Sequence, residues 1–209
     1  MKYQENIEEL SRLLPDYIGF IFYPKSKRYF DGLIPQLPQT IKKTGVFVDE
    51  DLDQLVSLTT KYKLDALQLH GDESVEYLEE LKEKLRVASV NKLEIIKAFA
   101  VGDTFEFQQL SPYQTWVDYF LFDTKGKDKG GNGISFDWKI LKGYELTTPY
   151  FLSGGIGLES IDEIKDFLSG TIANHCQVLD LNSKFEEAPG LKNIMLIEEF
   201  KKELNALKL

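Results

Sequence analysis

The 209-residue chain carries a single cysteine, Cys176. One thiol excludes an internal disulfide framework and any metal site built from several cysteines. It agrees with a reducing cytoplasm, the expected location. Basic residues are also in short supply: 25 Lys and Arg stand against 34 Asp and Glu, for a formal net charge of −9. A general binder of nucleic acid or anionic membrane is normally basic, so neither partner is expected. An anionic small molecule stays open, because it needs only a local positive site. The chain has no apolar run near the ~20 residues that span a bilayer. Its first residues, Met1-Lys2-Tyr3-Gln4-Glu5-Asn6, lack the apolar segment of a signal peptide. Fixed-period repeats and low-complexity tracts are missing as well.

What is present is a hydrophobic content of 43%, enough for one sizeable core and a single domain over 1–209. Residues 4–14 have apolar side chains at 7, 10, 13 and 14, a helical spacing that Pro15-Asp16 ends. Strands are then expected near residues 20, 46, 68, 97, 121, 151 and 179, with helices between most of them. Short connections and strict alternation argue for a parallel sheet with crossover helices. Nearly every strand is followed by polar residues or glycine, and those positions build the active site of a (β/α)8 barrel. Yet the count is seven, and the chain begins on a helix. Either the sheet is open and doubly wound, or this is a barrel whose first strand is missing from the chain.

The stretch 118–138 is the most informative. Tyr119 to Phe122 is a buried strand by composition, and Asp123 stands at its end. A loop with four glycines and three lysines follows, and Phe136-Asp137-Trp138 opens a helix with Asp137 as a cap. An acid at a strand end under a mobile loop suits general acid–base chemistry. Its competing role is to organise the loop.

Ser153-Gly154-Gly155-Ile156-Gly157 lies between a strand and a helix, where backbone amides and the helix amino end favour an anion. The alternative is a tight turn that needs glycine for geometry alone. With Asp180-Leu181-Asn182-Ser183 ending the next strand, a phosphate site is preferred, since the last two loops of such barrels usually hold phosphate. Lys25, Lys27 and Arg28 follow the strand near 20, and Arg28 suits bidentate contact with a carboxylate; a solvated surface cluster is the other reading. Gln68 and His70, two apart, point to one side of their strand. His175 and Cys176 are adjacent but lie at the amino end of a strand, away from the active face, and read as structural.

Taken in order, these segments resemble the phosphoribosylanthranilate isomerase family. The resemblance rests on Asp16-Tyr-Ile-Gly-Phe-Ile-Phe-Tyr-Pro-Lys-Ser-Lys-Arg-Tyr29, Gly45-Val-Phe-Val48, Leu67-Gln-Leu-His-Gly71, Phe122-Asp-Thr-Lys125, Ser153-Gly-Gly-Ile156, Leu179-Asp-Leu-Asn-Ser183 and Pro189-Gly190. It implies a TIM (β/α)8-type parallel barrel and an Amadori rearrangement in tryptophan biosynthesis. The substrate would be N-(5-phosphoribosyl)anthranilate and the product 1-(2-carboxyphenylamino)-1-deoxyribulose 5-phosphate, with no metal and no organic cofactor. Carried over by position, Asp123 is the general acid. Arg28 meets the anthranilate carboxylate, His70 neighbours its ring and Asp180 meets the ribose. Gly154, Gly155 and Ser183 hold the phosphate.

One departure matters. Members of the family open with a strand ending in Cys-Gly-Met, whose cysteine is the general base. Met1 aligns with that methionine, so the strand and the base are expected to be missing from this chain, and Cys176 is not expected to take the base's place. The expectation is a start at an internal methionine of a longer protein, with little or no isomerase activity in this chain. Two unpaired edges, near 20 and 179, would then leave a monomer or a dimer joined across the open seam. The alternatives are a non-catalytic sugar-phosphate-binding barrel and an indole-glycerol-phosphate synthase using lysines such as Lys97 and Lys125.

Overall fold

In the computed structural model, residues 1–90, 92–124 and 137–206 are described. Helix α1 (Gln4–Ser11) comes first, followed by β1 (Tyr17–Ile21), β2 (Lys42–Phe47), α2 (Leu52–Tyr62), β3 (Ala66–Leu69), α3 (Val75–Val87) and β4 (Glu94–Val101). Then come β5 (Tyr119–Thr124), β6 (Tyr150–Leu152), α4 (Ile161–Ser169), β7 (Cys176–Leu179), a hairpin of β8 (Glu186–Ala188) and β9 (Leu191–Lys192), and α5 (Ile194–Asn205).

Strands β1 to β7 form one parallel sheet in sequence order. Side chains alternate between its faces, as a period of two requires. On one face Ala66, Ile96, Ala98, Leu121 and Phe151 make a buried cluster with Tyr17, Tyr119 and Val178 packed on it. On the other, Phe20, Phe47, Leu67, Leu69, Phe120, Phe122 and Leu152 belong to the larger core shared with the helices. The sheet curls around the smaller cluster, so that β1 and β7 line the same cleft. Each of these two strands has a single strand neighbour in the sheet among the described residues. The backbone nitrogen of Met1 donates to Gly19 O at 2.6 Å. That of Lys2 donates to Gly190 O at 3.1 Å. The first two residues therefore lie between β1 and the β8–β9 hairpin.

Local chemistry sets most element ends. Asp51 accepts from the amides of Asp53 and Gln54 at the start of α2, Ser74 from Tyr77 at α3, and Asn193 from Leu196 at α5. Each such cap is worth about 1 kcal/mol. The helical spacing over 4–14 runs past the helix itself. Leu14, just before Pro15, takes φ 50°, a left-handed conformation that ends the helical path. The weakly periodic segment 104–116 holds only a 3₁₀ turn, Phe107–Tyr113, with Pro112 inside it. The β8–β9 hairpin has no counterpart in the strand pattern. Its strands are three and two residues long, too short to show alternation.

Candidate active site

The cleft has a volume of about 1150 Å³, and Lys25, Arg28, His70, Asp123 and Asp180 all face it. Each stands at or just beyond the carboxyl end of a strand. Asp123 points inward because its neighbour Phe122 points outward into the helix layer. Its Oδ1 accepts from the Thr124 amide at 2.8 Å, and its Oδ2 lies 3.5 Å from His70 Nε2. His70 Nδ1 in turn lies 2.8 Å from Gln68 Nε2. Two residues of β3 and its end thus lean on the acid of β5.

Asp180, just past β7, accepts from Ser153 Oγ at 2.9 Å. Burial pushes its carboxyl above the usual range, Lys192 and the Ser153 hydrogen bond oppose that rise, and the charge of Asp123 adds to it. Asp123 and Asp180 therefore face one cleft, with the charge of the first acting on the second.

Arg28 does not present a free guanidinium. Its Nε donates to Glu186 Oε1 and Oε2 at 3.0 and 2.9 Å, and its Nη2 to Oε2 at 2.6 Å. Lys192 Nζ is 3.4 Å from Glu186 and donates to the carbonyls of Leu181 and Asn182 at 2.9 and 3.0 Å. Burial pushes the Glu186 carboxyl up, but the combined pull of Arg28 and Lys192 leaves it below its ordinary value. Lys192, desolvated, is lowered despite Glu186 and Asp180. The sequence reading missed Glu186 and Lys192. The only local sign was Pro189-Gly190, whose turn (Gly190 φ 84°) folds β9 back on β8.

The glycine loop after β6 has the geometry expected of it. Gly154 and Gly155 take φ 85° and 70°. A Cβ on Gly154 would lie 2.2 Å from Thr124 Oγ1 and 3.0 Å from Asp123 Oδ1. This loop is thus pressed against the catalytic-acid candidate. Ser183 opens a short turn after β7, and the next residue, Lys184, ion-pairs with Glu159 beyond the glycines. The two loops assigned to phosphate are bridged, although Gly154, Gly155 and Ser183 do not line the main cleft.

Two of the chain's reactive groups sit elsewhere. Cys176 starts β7, and burial pushes its thiol up to about 12, as a structural cysteine requires. Lys97 points to the helix side of the sheet, 2% exposed and 3.0 Å from Glu73. It is not a catalytic lysine of the synthase type, because it does not reach the cleft. Lys125 and the Gly/Lys loop at 125–133 lie outside the described residues. Among the described residues, no group of three or more His, Cys, Asp or Glu side chains is arranged to hold a metal ion. No described helix is long and apolar enough to cross a membrane.

Residues 2–203 match the sequence profile of the family described as N-(5'phosphoribosyl)anthranilate (PRA) isomerase. The N-(5'-phosphoribosyl)anthranilate isomerase of Parabacteroides distasonis is 39% identical over 206 residues, covering 96% of this chain and 88% of the relative. That of Phocaeicola vulgatus is 35% identical over 208 residues, covering 100% and 95%. The crystal structure of phosphoribosyl anthranilate isomerase from Thermotoga maritima superposes with a TM-score of 0.79 at 27% identity, covering 99% of this chain and 96% of that one. A structure of the isomerase in complex with reduced 1-(o-carboxyphenylamino)-1-deoxyribulose 5-phosphate gives 0.76 at 26% identity, covering 99% and 95%. With a curled parallel sheet, an acid at the end of β5 and near-complete coverage by these relatives, the chain belongs to the phosphoribosylanthranilate isomerase family, enzymes of tryptophan biosynthesis.

Proposed function

We propose that the cleft binds N-(5-phosphoribosyl)anthranilate and that Asp123 is the proton donor of its Amadori rearrangement. The observation that carries this reading is the position of Asp123: inward, at the end of β5, facing Arg28 and Asp180 across one cleft. Asp123 gives its proton to the furanose ring oxygen. The C1′–O bond breaks and the nitrogen lone pair forms the imine. The C2′ proton passes to a general base, in the family the cysteine of the Cys-Gly-Met strand, and the enolamine that forms tautomerises to the ketone. Arg28 uses the N–H groups not engaged by Glu186 to meet the anthranilate carboxylate. His70 flanks the aromatic ring, and Asp180 takes a ribose hydroxyl. The amides around Gly154 and Gly155, with Ser183, hold the phosphate. The net charge of −9 repels this anion at long range, so capture depends on those local groups.

A second reading is a sugar-phosphate-binding barrel without turnover. It is favoured by the place of Cys176, whose raised thiol sits at the far end of β7 and supplies no base at the cleft. Calorimetric titration with reduced 1-(o-carboxyphenylamino)-1-deoxyribulose 5-phosphate, paired with a turnover assay, separates the two. The assay is run on this chain and on a form extended by a strand ending in Cys-Gly. In the extended form, Asp123→Asn should leave binding within about threefold and lower turnover by roughly 10²-fold or more; full turnover in that variant would sink the acid assignment. A cytoplasmic location fits the single reduced cysteine. The chain is a monomer, or a dimer joined across the open seam between β1 and β7, which sedimentation distinguishes.

A further inference from the structure

Gln68 has no role in the chemistry above, yet its amide makes a 2.8 Å contact to the His70 imidazole. Both residues belong to the inner side of β3: Gln68 pairs in register with Val46 and Ile96, and His70 follows two residues on. The Gln68 amide nitrogen lies 2.8 Å from His70 Nδ1, while His70 Nε2 faces Asp123 Oδ2 at 3.5 Å. With the Gln68 amide nitrogen as the donor, Nδ1 is the acceptor, and a neutral imidazole then carries its proton on Nε2. That N–H is the one aimed at Asp123.

We propose that Gln68 is a positioning residue for the proton-transfer step, holding His70 in the tautomer whose Nε2–H meets the Asp123 carboxylate. This rests on Asp123 being the proton donor. When the Asp123 proton passes to the substrate ring oxygen, negative charge appears on a carboxylate 13% exposed. A preset donor stabilises that charge, as does the Thr124 amide on the other oxygen. At 3.5 Å the His70 contact is longer than a formed hydrogen bond, and it closes as the charge develops. The imidazole keeps its own proton throughout. Placing the orienting amide on a strand rather than a loop fixes the ring direction. A merely structural Gln68, filling a polar layer, would accept either tautomer, because its amide offers a donor on one side and an acceptor on the other.

The chain has two histidines, so long-range ¹H–¹⁵N spectra of the imidazoles are readily assigned with His175→Gln as the control. At neutral pH the wild-type His70 should show an unprotonated Nδ1 and a protonated Nε2. Gln68→Glu replaces the donor with an acceptor and should place a proton on Nδ1. Gln68→Met removes the constraint and should give signals averaged between tautomers. In turnover by the form extended with a strand ending in Cys-Gly, Gln68→Met should lower kcat about tenfold with KM within about twofold. A wild-type His70 protonated on Nδ1, an Nδ1 that stays unprotonated in Gln68→Glu, or an unchanged kcat in Gln68→Met overturns the proposal. The spectra need no turnover, so they fail separately from the Asp123→Asn test.

Discussion

Arg28 and Glu186, 158 residues apart, are joined by three contacts of 2.6–3.0 Å. The pair closes the carboxyl end of β1 onto the hairpin after β7, at the place where the sheet itself leaves a cleft. It also sets how much of the guanidinium is left for a ligand.

Removing that carboxylate should be costly. Glu186→Gln leaves Arg28 and the buried Lys192 without their shared anion, and the expected loss is on the order of 3 kcal/mol at pH 7. Glu186 has a folded pKa below its unfolded value. Its contribution is therefore present above the unfolded value and is lost as pH falls through the folded one. Urea unfolding should show a wide gap between wild type and variant at pH 7 that narrows below about pH 4.

Asp180 has the opposite sign. Its pKa is raised by burial, so its contribution is complete below the unfolded value and is lost as pH rises through the folded one. Asp180→Asn keeps an acceptor for Ser153 without a buried charge. Its thermal midpoint, relative to wild type, should climb as pH increases from about 4 toward neutrality. A difference that stays flat with pH would show that Lys192 needs this charge as much as burial opposes it.

Gly154→Ala should lose about 1–3 kcal/mol, because the new methyl meets Thr124 in a backbone conformation of φ 85°. Gly143→Ala is the control: its Cβ has ordinary room, 3.5 Å from Phe107, and stability should change by about 0.5 kcal/mol or less. Chemical denaturation reads both. Phosphate-ligand affinity should fall only in the Gly154 variant.

Lys97→Met strips the partner from Glu73, whose side chain is 1% exposed. The expected destabilisation is about 3–5 kcal/mol. The double variant Lys97→Met/Glu73→Gln should recover part of it, giving a coupling of at least about 1 kcal/mol in a double-mutant cycle. Ligand affinity should follow stability alone, since Lys97 lies behind the sheet.

These residues show where local reading succeeds and where it stops. Strand β5 and its terminal acid were visible because an apolar run ending in a single carboxylate is a property of neighbours; in the folded sheet Phe122 outward then places Asp123 inward. The starts of α2 and α3 are equally local: Asp51 and Ser74 act on amides two or three residues ahead. Lys97 was ambiguous. The run Glu94–Val101 is apolar on both faces of its strand, and nothing in it says which face turns to the cleft. Glu186 and Lys192 looked like ordinary charges on a short polar stretch, because two- and three-residue strands carry no period.

The sequence by itself determined the order of the seven sheet strands, their parallel alternation with helices, the family and the acid at the end of β5, since spacing, caps and breakers act over a few residues. Only the tertiary structure decided that Gln68 and His70 bear on Asp123, that Arg28 is already engaged by Glu186, and that Lys97 faces away. Those contacts depend on the curl of the sheet and on burial, which turn distant charges into partners and single out which of them the cleft exposes.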